Sequence, residues 1–581
     1  MSVTYNLSLR DWYFDTTSEW TLDYPPLFAI FELFLAFFAH VLNIQDALKL
    51  NESPIRSELV VVYQKVTVIV ADLVYFYGVY KLCKSLEPLL DASNVVKGPT
   101  SKASDNDSKF NNDAATGMCI KTDRQEIENE VQAQINHKGK KQVNRPSSPP
   151  LQALQLSLSD AVYRPDAISC IALLLLLQPG LLLVDHVHFQ YNGLLSGVLL
   201  LSMAEIIGGR YISGSFWFAV LLNLKHIYLY CAPAYGMYLL ASHCLARVKN
   251  QNRLVTFLMR AGRLGSVVIL VFVITYAPFF DRATLRQIVN RLFPFKRGLT
   301  HAYWAPNVWS LYNLVDKILA TVFKDSLKVT FDLESISRTK RISSTSGLVQ
   351  EYEHMYLPSV KPLTTFALVG AAFVPIVIKF LLRTNRRSPR LFLKGVTLAA
   401  FTSFMFGWHV HEKAILLVIL PMVPLCLTDP QLRDTFLRLT IAGTYSLFPL
   451  LYQPAEYLTK VCLLIAYYSY ARSQTSTVID KLAKRRPTAD RKQQSMLKTS
   501  AGRVYRFMDK TYVVALVMTE LYIRIIFGRL NLDWNPLAKL NRYEFLPLML
   551  TSTLSAFGIT ISYLELYYDF VVCADELTAA F

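Results

Sequence analysis

The apolar residues of this chain gather into runs and do not alternate with polar ones. Segments such as 168–184, 264–280 and 545–563 are almost wholly apolar, and about 16–25 such residues cross a roughly 30 Å hydrocarbon layer as a helix. Lipid admits only helices or closed barrels, and these runs lack the period-two alternation of barrel strands. The pattern predicts an all-α, polytopic transmembrane helical bundle of about thirteen spans. They fall at roughly 58–83, 167–184, 193–209, 214–230, 231–247, 264–280, 364–383, 395–409, 413–428, 435–452, 456–472, 511–530 and 545–566. The stretch 27–44 is also long enough to cross, and charge decides how it reads.

Residues 247–263 carry Arg247, Lys249, Arg253, Arg260 and Arg263 without an acid, and 383–394 carry Arg383, Arg386, Arg387, Arg390 and Lys394. Residues 472–510 are also strongly basic. Loops rich in Lys and Arg stay cytosolic. The thirteen spans place all three on one side, together with 84–163. The N-terminus, 185–192, 281–363 and 409–412 then face the lumen. A crossing at 27–44 would flip every basic loop, so that stretch is expected to be an interfacial or re-entrant helix. A lumenal Met1 with no leader before it implies a native start further upstream and an absent first helix. Simple translocation of the N-terminal tail is the alternative.

Residues 97–150 are rich in Ser, Asn, Asp, Gln and Lys and end in Pro146-Ser147-Ser148-Pro149-Pro150. Such a stretch buries too little apolar surface to order itself. It is expected to be a disordered cytosolic insertion in a single membrane domain spanning 1–581. Segment 281–363 is expected as a long lumenal loop and 472–510 as a basic cytosolic loop. Within the latter, Lys481–Lys510 reads as an ordinary positive-inside segment before it reads as a lipid-binding one.

Composition agrees with a membrane protein. Of 581 residues, 52% are hydrophobic and 18% charged, against about 25% charged in soluble proteins; mean hydropathy is +0.29. The net charge of +17 lies between apolar runs, where it sets orientation, so it does not point to nucleic acid. Eight cysteines are scattered without a CxxC, which excludes a disulfide framework or zinc knuckle.

Polar residues bordering apolar helices are the informative ones in a membrane protein. Four clusters stand out. The first is 18–26, with Glu19, Trp20, Asp23, Tyr24 and a Pro-Pro pair. Its rings can stack on sugar faces and its carboxylates can accept sugar hydroxyls; an interfacial aromatic belt with a proline helix start explains the same residues. The second is Asp185-His186-Val187-His188-Phe189-Gln190-Tyr191-Asn192. His186 and His188 point about 200° apart on a helix, so they do not share a metal. The third is His409-Val410-His411-Glu412-Lys413, suited to a phosphate or, more simply, to a polar turn with a Glu–Lys pair. The fourth, 291–307, mixes Arg291, Lys296, Arg297 and His301 with Phe293, Phe295, Tyr303 and Trp304. It suits an anionic lipid-linked sugar or a membrane-surface anchor. No P-loop, GxGxxG or GxSxG motif is present.

These motifs resemble the dolichyl-phosphate-glucose-dependent glucosyltransferases of lipid-linked oligosaccharide assembly. The resemblance rests on SEWTLDYPP (18–26), LLVDHVHFQYNG (182–193), LKHIYLYCAPAYG (224–236), RLFPFKRGLTHAYWAPN (291–307), TSGLVQEYEHMYLPS (345–359) and FGWHVHEKAILL (406–417). It implies a GT-C type polytopic fold in the endoplasmic reticulum membrane, with a lumenal active site. SEWTLDYPP and HAYWAPN are most similar to the branch that adds the second glucose. That branch implies transfer from dolichyl phosphate glucose, with inversion, in alpha-1,3 linkage onto the monoglucosylated dolichyl-diphosphate oligosaccharide. The sister branch that adds the first glucose is the alternative.

The resemblance also implies roles. His409, His411, Lys413 and Arg297 are expected at the donor phosphate. Glu19, Trp20, Tyr24, Asp185, His188, Gln190, Tyr191, Asn192, His301 and Trp304 are expected at the sugars or acceptor. No metal or other cofactor is implied. The family carries an acidic DFE-x-x-R-x-W segment after its first helix, whose leading Asp resembles the catalytic base. No such segment precedes Trp20, which implies a truncated start and a chain that lacks its base; within the chain Asp23 is the candidate. A polytopic lipid transporter or a structural subunit is the reading from another class. Polar residues crowded at helix ends, rather than inside spans, favour the enzyme.

Overall fold

The computed structural model describes residues 1–17, 21–51, 57–92, 167–247, 251–301, 303–323, 353–382, 388–451, 453, 455–485, 500–527 and 545–572. The insertion expected at 97–150 lies outside them, as do Glu19 and Trp20. After a short helical turn at Ser2–Asn6, the helices are α1 Pro26–Val41, α2 Glu58–Ala92, α3 Ala167–Val187, α4 Asn192–Ile207, α5 Tyr211–Leu224, α6 Ala232–Leu239, α7 Arg253–Tyr276 and α8 Arg282–Leu292. They continue as α9 Val308–Val322, α10 Pro362–Leu382, α11 Pro389–Phe406, α12 Leu416–Thr428, α13 Arg433–Tyr445, α14 Glu456–Arg485, α15 Ser500–Leu521 and α16 Leu546–Val571. Among the described residues the one β-bridge joins Thr300 to Val410 in parallel.

Among the described residues five helices are long and apolar enough to cross a membrane: Glu58–Leu90, Ala167–Val187, Arg253–Phe279, Pro362–Leu382 and Leu546–Val571. The other expected crossings map onto shorter pieces. The expected pair 214–230 and 231–247 consists of α5, a 3₁₀ turn over His226–Tyr230, then α6 and a π turn. Lys225 caps α5 in an extended conformation and Pro233 opens α6, so the run is broken where a polar pair and a proline fall. α1 has 16 residues, short of a full span, and leaves Phe34, Phe37 and Phe38 exposed on its outer face.

The burial pattern separates centre from perimeter. Every residue from Leu391 to Met405 and from Leu416 to Thr428 is buried, so α11 and α12 are enclosed by other helices. α7 and α10 expose Ile269, Ile274, Leu363 and Phe366, as helices facing lipid tails do. α2 crosses α4 at Gly78 and Gly197, where a Cβ on Gly197 would lie 2.6 Å from the Val74 carbonyl oxygen. Small residues let the two backbones touch, which is how helices gain contact where lipid competes equally for apolar side chains.

The turn 407–415 between α11 and α12 marks one end of the bundle. The opposite end is tied by charge: Lys394 binds Asp429 at 2.5 Å and Asp569 at 2.6 Å, and Arg438 binds Asp509 at 2.6 Å and Glu565 at 2.7 Å. Segment 281–363, expected as a loop, contains α8 and α9. Asp281 caps α8 through the amides of Ala283 and Thr284, and Asn307 caps α9 through that of Trp309. Much of 472–510 is likewise helical, in the end of α14 and the start of α15.

Candidate active site

Three of the expected clusters and the described part of the fourth meet at the end of the bundle that holds the turn 407–415. The backbone makes the first join. The His409 amide donates to the Leu299 carbonyl at 3.0 Å beside the Thr300–Val410 bridge. Trp309 Nε1 donates to the Gly407 carbonyl at 2.9 Å and Asn307 Nδ2 to that of Phe404 at 3.1 Å. Ser552 of α16 donates to the Trp304 carbonyl at 2.6 Å. The third and fourth clusters are thus one body, and His409 and Trp304 both sit at positive φ, 51° and 45°.

This join gathers three imidazoles. The His301 and His411 rings lie 3.7 Å apart between centroids, and His409 lies 5.5 Å from His301. His301 faces the buried Glu412 carboxylate at 3.3 Å. Their ring nitrogens fall within 4.8 Å of one another, the one such grouping among the described residues with a donor set for a metal ion. A carbonyl oxygen only accepts, so His409 Nδ1 carries the proton that it gives to Gly298 at 3.1 Å. Nε2 of a neutral His409 is therefore bare. Loss of solvation, with His301 adjacent, pushes His409 down to about 4 and His411 well below its ordinary value.

The second cluster closes on itself through a π turn over Leu182–Val187. Asp185, buried, accepts the Asn192 amide at 2.9 Å and the Gly193 backbone N–H. Asn192 also donates to Gln190 at 2.9 Å. Tyr191 is buried with its hydroxyl 2.7 Å from Thr67, and His188 stays exposed at the rim. His186 turns away to Asp72 of α2 at 2.9 Å.

Lys225 and His226, in the turn after α5, join the remaining pieces. Lys225 donates to the Asn192 amide oxygen at 2.9 Å and crosses the Tyr24 ring at 5.9 Å. Loss of solvation, and the nearby Lys413 ammonium, push Lys225 down to about 7. Lys413 is lowered chiefly by loss of solvation, while Glu412 and Asp185 oppose that shift. The His226 ring packs on Phe293 at 5.4 Å. From the first cluster, Asp23 accepts Arg297 Nη2 at 2.6 Å and the Thr21 hydroxyl at 3.0 Å, and Tyr24 stacks on Phe28 at 4.4 Å. Neither Lys225 nor His226 was singled out from the sequence. The signal was present, because a Lys-His pair inside the apolar run 214–247 is costly without a task.

The assembly sets two clustered ammonium groups and three imidazoles beside carboxylates, hydroxyls and amides. Its cations suit a phosphate, and its Asp, Asn and Gln groups suit sugar hydroxyls. The ALG6, ALG8 glycosyltransferase family model matches residues 1–104 and 150–566. A Mus musculus protein named "Dolichyl pyrophosphate Glc1Man9GlcNAc2 alpha-1,3-glucosyltransferase" is 37% identical over 570 residues, 98% of this chain and 89% of its own. Proteins of the same name from Bos taurus and Arabidopsis thaliana are 36% and 34% identical, each over 90% of its own length and 98% and 97% of this chain. The match on both sides of the insertion and the likeness along nearly all of both chains establish that this chain belongs to the ALG6, ALG8 glycosyltransferase family.

Proposed function

We propose that this chain transfers glucose from dolichyl phosphate glucose onto the monoglucosylated dolichyl-diphosphate oligosaccharide, in alpha-1,3 linkage, in the endoplasmic reticulum membrane. The observation that carries the reading is the convergence of Lys225, Lys413, His301, His409 and His411 beside Asp185, Asn192 and Asp23. The name shared by the relatives supports the second-glucose step over the first. A GT-C type arrangement of about thirteen crossings fits a helical bundle whose charged loops sort to one side. On that topology the histidine end is lumenal.

The reaction is a single displacement. The acceptor hydroxyl oxygen bonds to the anomeric carbon as the bond from that carbon to the phosphate oxygen breaks. The electron pair leaves with the phosphate, and a carboxylate takes the acceptor proton. The beta-linked donor thereby becomes an alpha product. Lys413 and Lys225 face the growing phosphate charge. His409 joins them by taking up a proton on Nε2, and Arg297 adds a further cation when it leaves Asp23. Asp185, Gln190 and Asn192 hold sugar hydroxyls at one wall, with His188, His301, Tyr24, Tyr191 and Trp304 around them. Asp23 is the proposed proton acceptor.

The test is a defined assay of the purified chain with dolichyl phosphate glucose and two acceptors. A one-hexose gain on the monoglucosylated acceptor, and none on the unglucosylated one, is expected. The reverse selectivity would assign the first-glucose step. A second reading, metal-assisted transfer at the three histidines, is favoured by their spacing and is tested by chelation.

A further inference from the structure

At the end of the bundle away from the histidines, α13, α14 and α15 enclose a groove of about 390 Å³. Its chemistry changes along its length. The mouth carries Arg433, Asp434, Arg472 and Lys510, and a deeper charged shelf is formed by Arg438 with Asp509. Beyond them the walls are Leu437 and Ile441 of α13 and Val513 and Val514 of α15. Positions 433, 437 and 441 lie four apart, on one face of α13. They cover ~12 Å of helix rise, and α15 makes the same change from Lys510 to Val514. The groove is thus charged at its rim and apolar toward the middle of the bundle.

The rim cations differ in how they are used. Arg433 is fully engaged, with Asp434 at 2.9 Å, the Thr475 hydroxyl at 3.1 Å and the Arg472 carbonyl at 3.0 Å. Arg438 is held between Asp509 and Glu565. The exposed side chains of Arg472 and Lys510 make no hydrogen bond or ion pair among the described residues. Structural pairing therefore accounts for two of the cations and leaves two at the rim of a groove whose remaining lining is largely apolar and, at Val514, open to the outside. A soluble anion would use only the rim. A molecule with an anionic head and a hydrocarbon tail uses both parts.

We infer that this groove binds one anionic glycerophospholipid, its phosphate at Arg472 and Lys510 and one acyl chain along Leu437, Ile441, Val513 and Val514. The site lies at the other end of the bundle from the glycosyl-transfer site and does not depend on that reading. Juxtamembrane Lys and Arg residues gain attraction to anionic lipid additively, so two open cations in a shaped groove give selectivity over zwitterionic lipid.

The test uses the full chain in nanodiscs of phosphatidylcholine, with or without phosphatidylserine. Lipid retained after transfer to detergent is read by native mass spectrometry, and unfolding is read by heating. Wild type is expected to retain one phosphatidylserine in preference to phosphatidylcholine and to melt at higher temperature with it. Arg472→Gln with Lys510→Gln should cut that preference about thirty-fold, with unfolding in pure phosphatidylcholine unchanged because both side chains are exposed. Val514→Asn should weaken retention while keeping the head preference. Equal retention of both lipids by wild type, or an undiminished preference in the charge variant, overturns the proposal. So does an equal thermal shift from inorganic phosphate alone, which would make the groove an anion site without a place for a tail.

Discussion

The guanidinium of Arg297 holds the carboxylate of Asp23 at 2.6 Å across 274 residues of sequence. With the Thr21 hydroxyl on its other oxygen, Asp23 has both oxygens occupied in this state. A proton acceptor in such a pair must lose its partner before it acts, and an arriving phosphate is a competing partner for that guanidinium. Asp23→Asn is therefore expected to lower kcat by at least about a hundred-fold, the lower bound for losing a general base. Arg297→Gln should chiefly raise KM for the donor. Steady-state kinetics of the two variants check this. A change in KM alone for Asp23→Asn would remove Asp23 as the acceptor.

The donor phosphate should bind more weakly as pH rises. Lys225, at about 7, loses its charge through neutrality, and His409, at about 4, is uncharged until an anion raises its affinity for a proton. Binding an anion thus takes up protons, and KM for the donor should climb between about pH 6.5 and 8.5. Lys225→Met should flatten the part of that climb near pH 7. Stability without ligand has its own slope. Unfolded, His409 and His411 take up protons near 6.5, before they do in the folded chain, so the melting temperature should fall as pH drops from about 6.5 toward 4.

Chelation separates the two uses of the histidine trio. If His301, His409 and His411 serve a phosphate directly, extensive dialysis against a strong chelator leaves transfer unchanged. A loss restored by one divalent ion would show that His301, His409 and His411 hold a metal, which would supply positive charge toward the phosphate.

Gly197→Leu should destabilise the bundle by about 1–3 kcal/mol or more through overpacking against α2, with the histidine site untouched. Gly265→Ala on α7 meets nothing within 4 Å and should be neutral or stabilising by up to about 1 kcal/mol. Thermal unfolding in one detergent compares the pair directly.

The helical character and the four clusters were legible because apolar runs and crowded polar termini are local signals. Asp185, Asn192, His409, His411 and Lys413 stood in polar clusters beside apolar runs, their roles implied by the resemblance, and the structure brings them into one region. Their partners could not be named. That Arg297 faces Asp23, or that Lys225 reaches Asn192, depends on which helix ends abut, and spacing along the chain does not encode it. The count of crossings was less legible for a related reason. Hydropathy marks apolar stretches without telling lipid from protein around them, and α12 is wholly apolar over a face that other helices cover. Segment 472–510 reads as a loop from its charge and 281–363 from its place between spans, although Asp281 and Asn307 cap helices within the latter.

Position 409 places an imidazole on a backbone turned to φ 51°. A residue there has two properties to supply at once, tolerance of the left-handed region and a ring nitrogen. Glycine meets only the first, asparagine meets the first and offers a different donor, and a β-branched residue meets neither. A complete substitution series at this one site would therefore sort into a conformational class and a chemical class. The gap between the glycine and asparagine variants would measure what the side chain contributes apart from the shape of the turn.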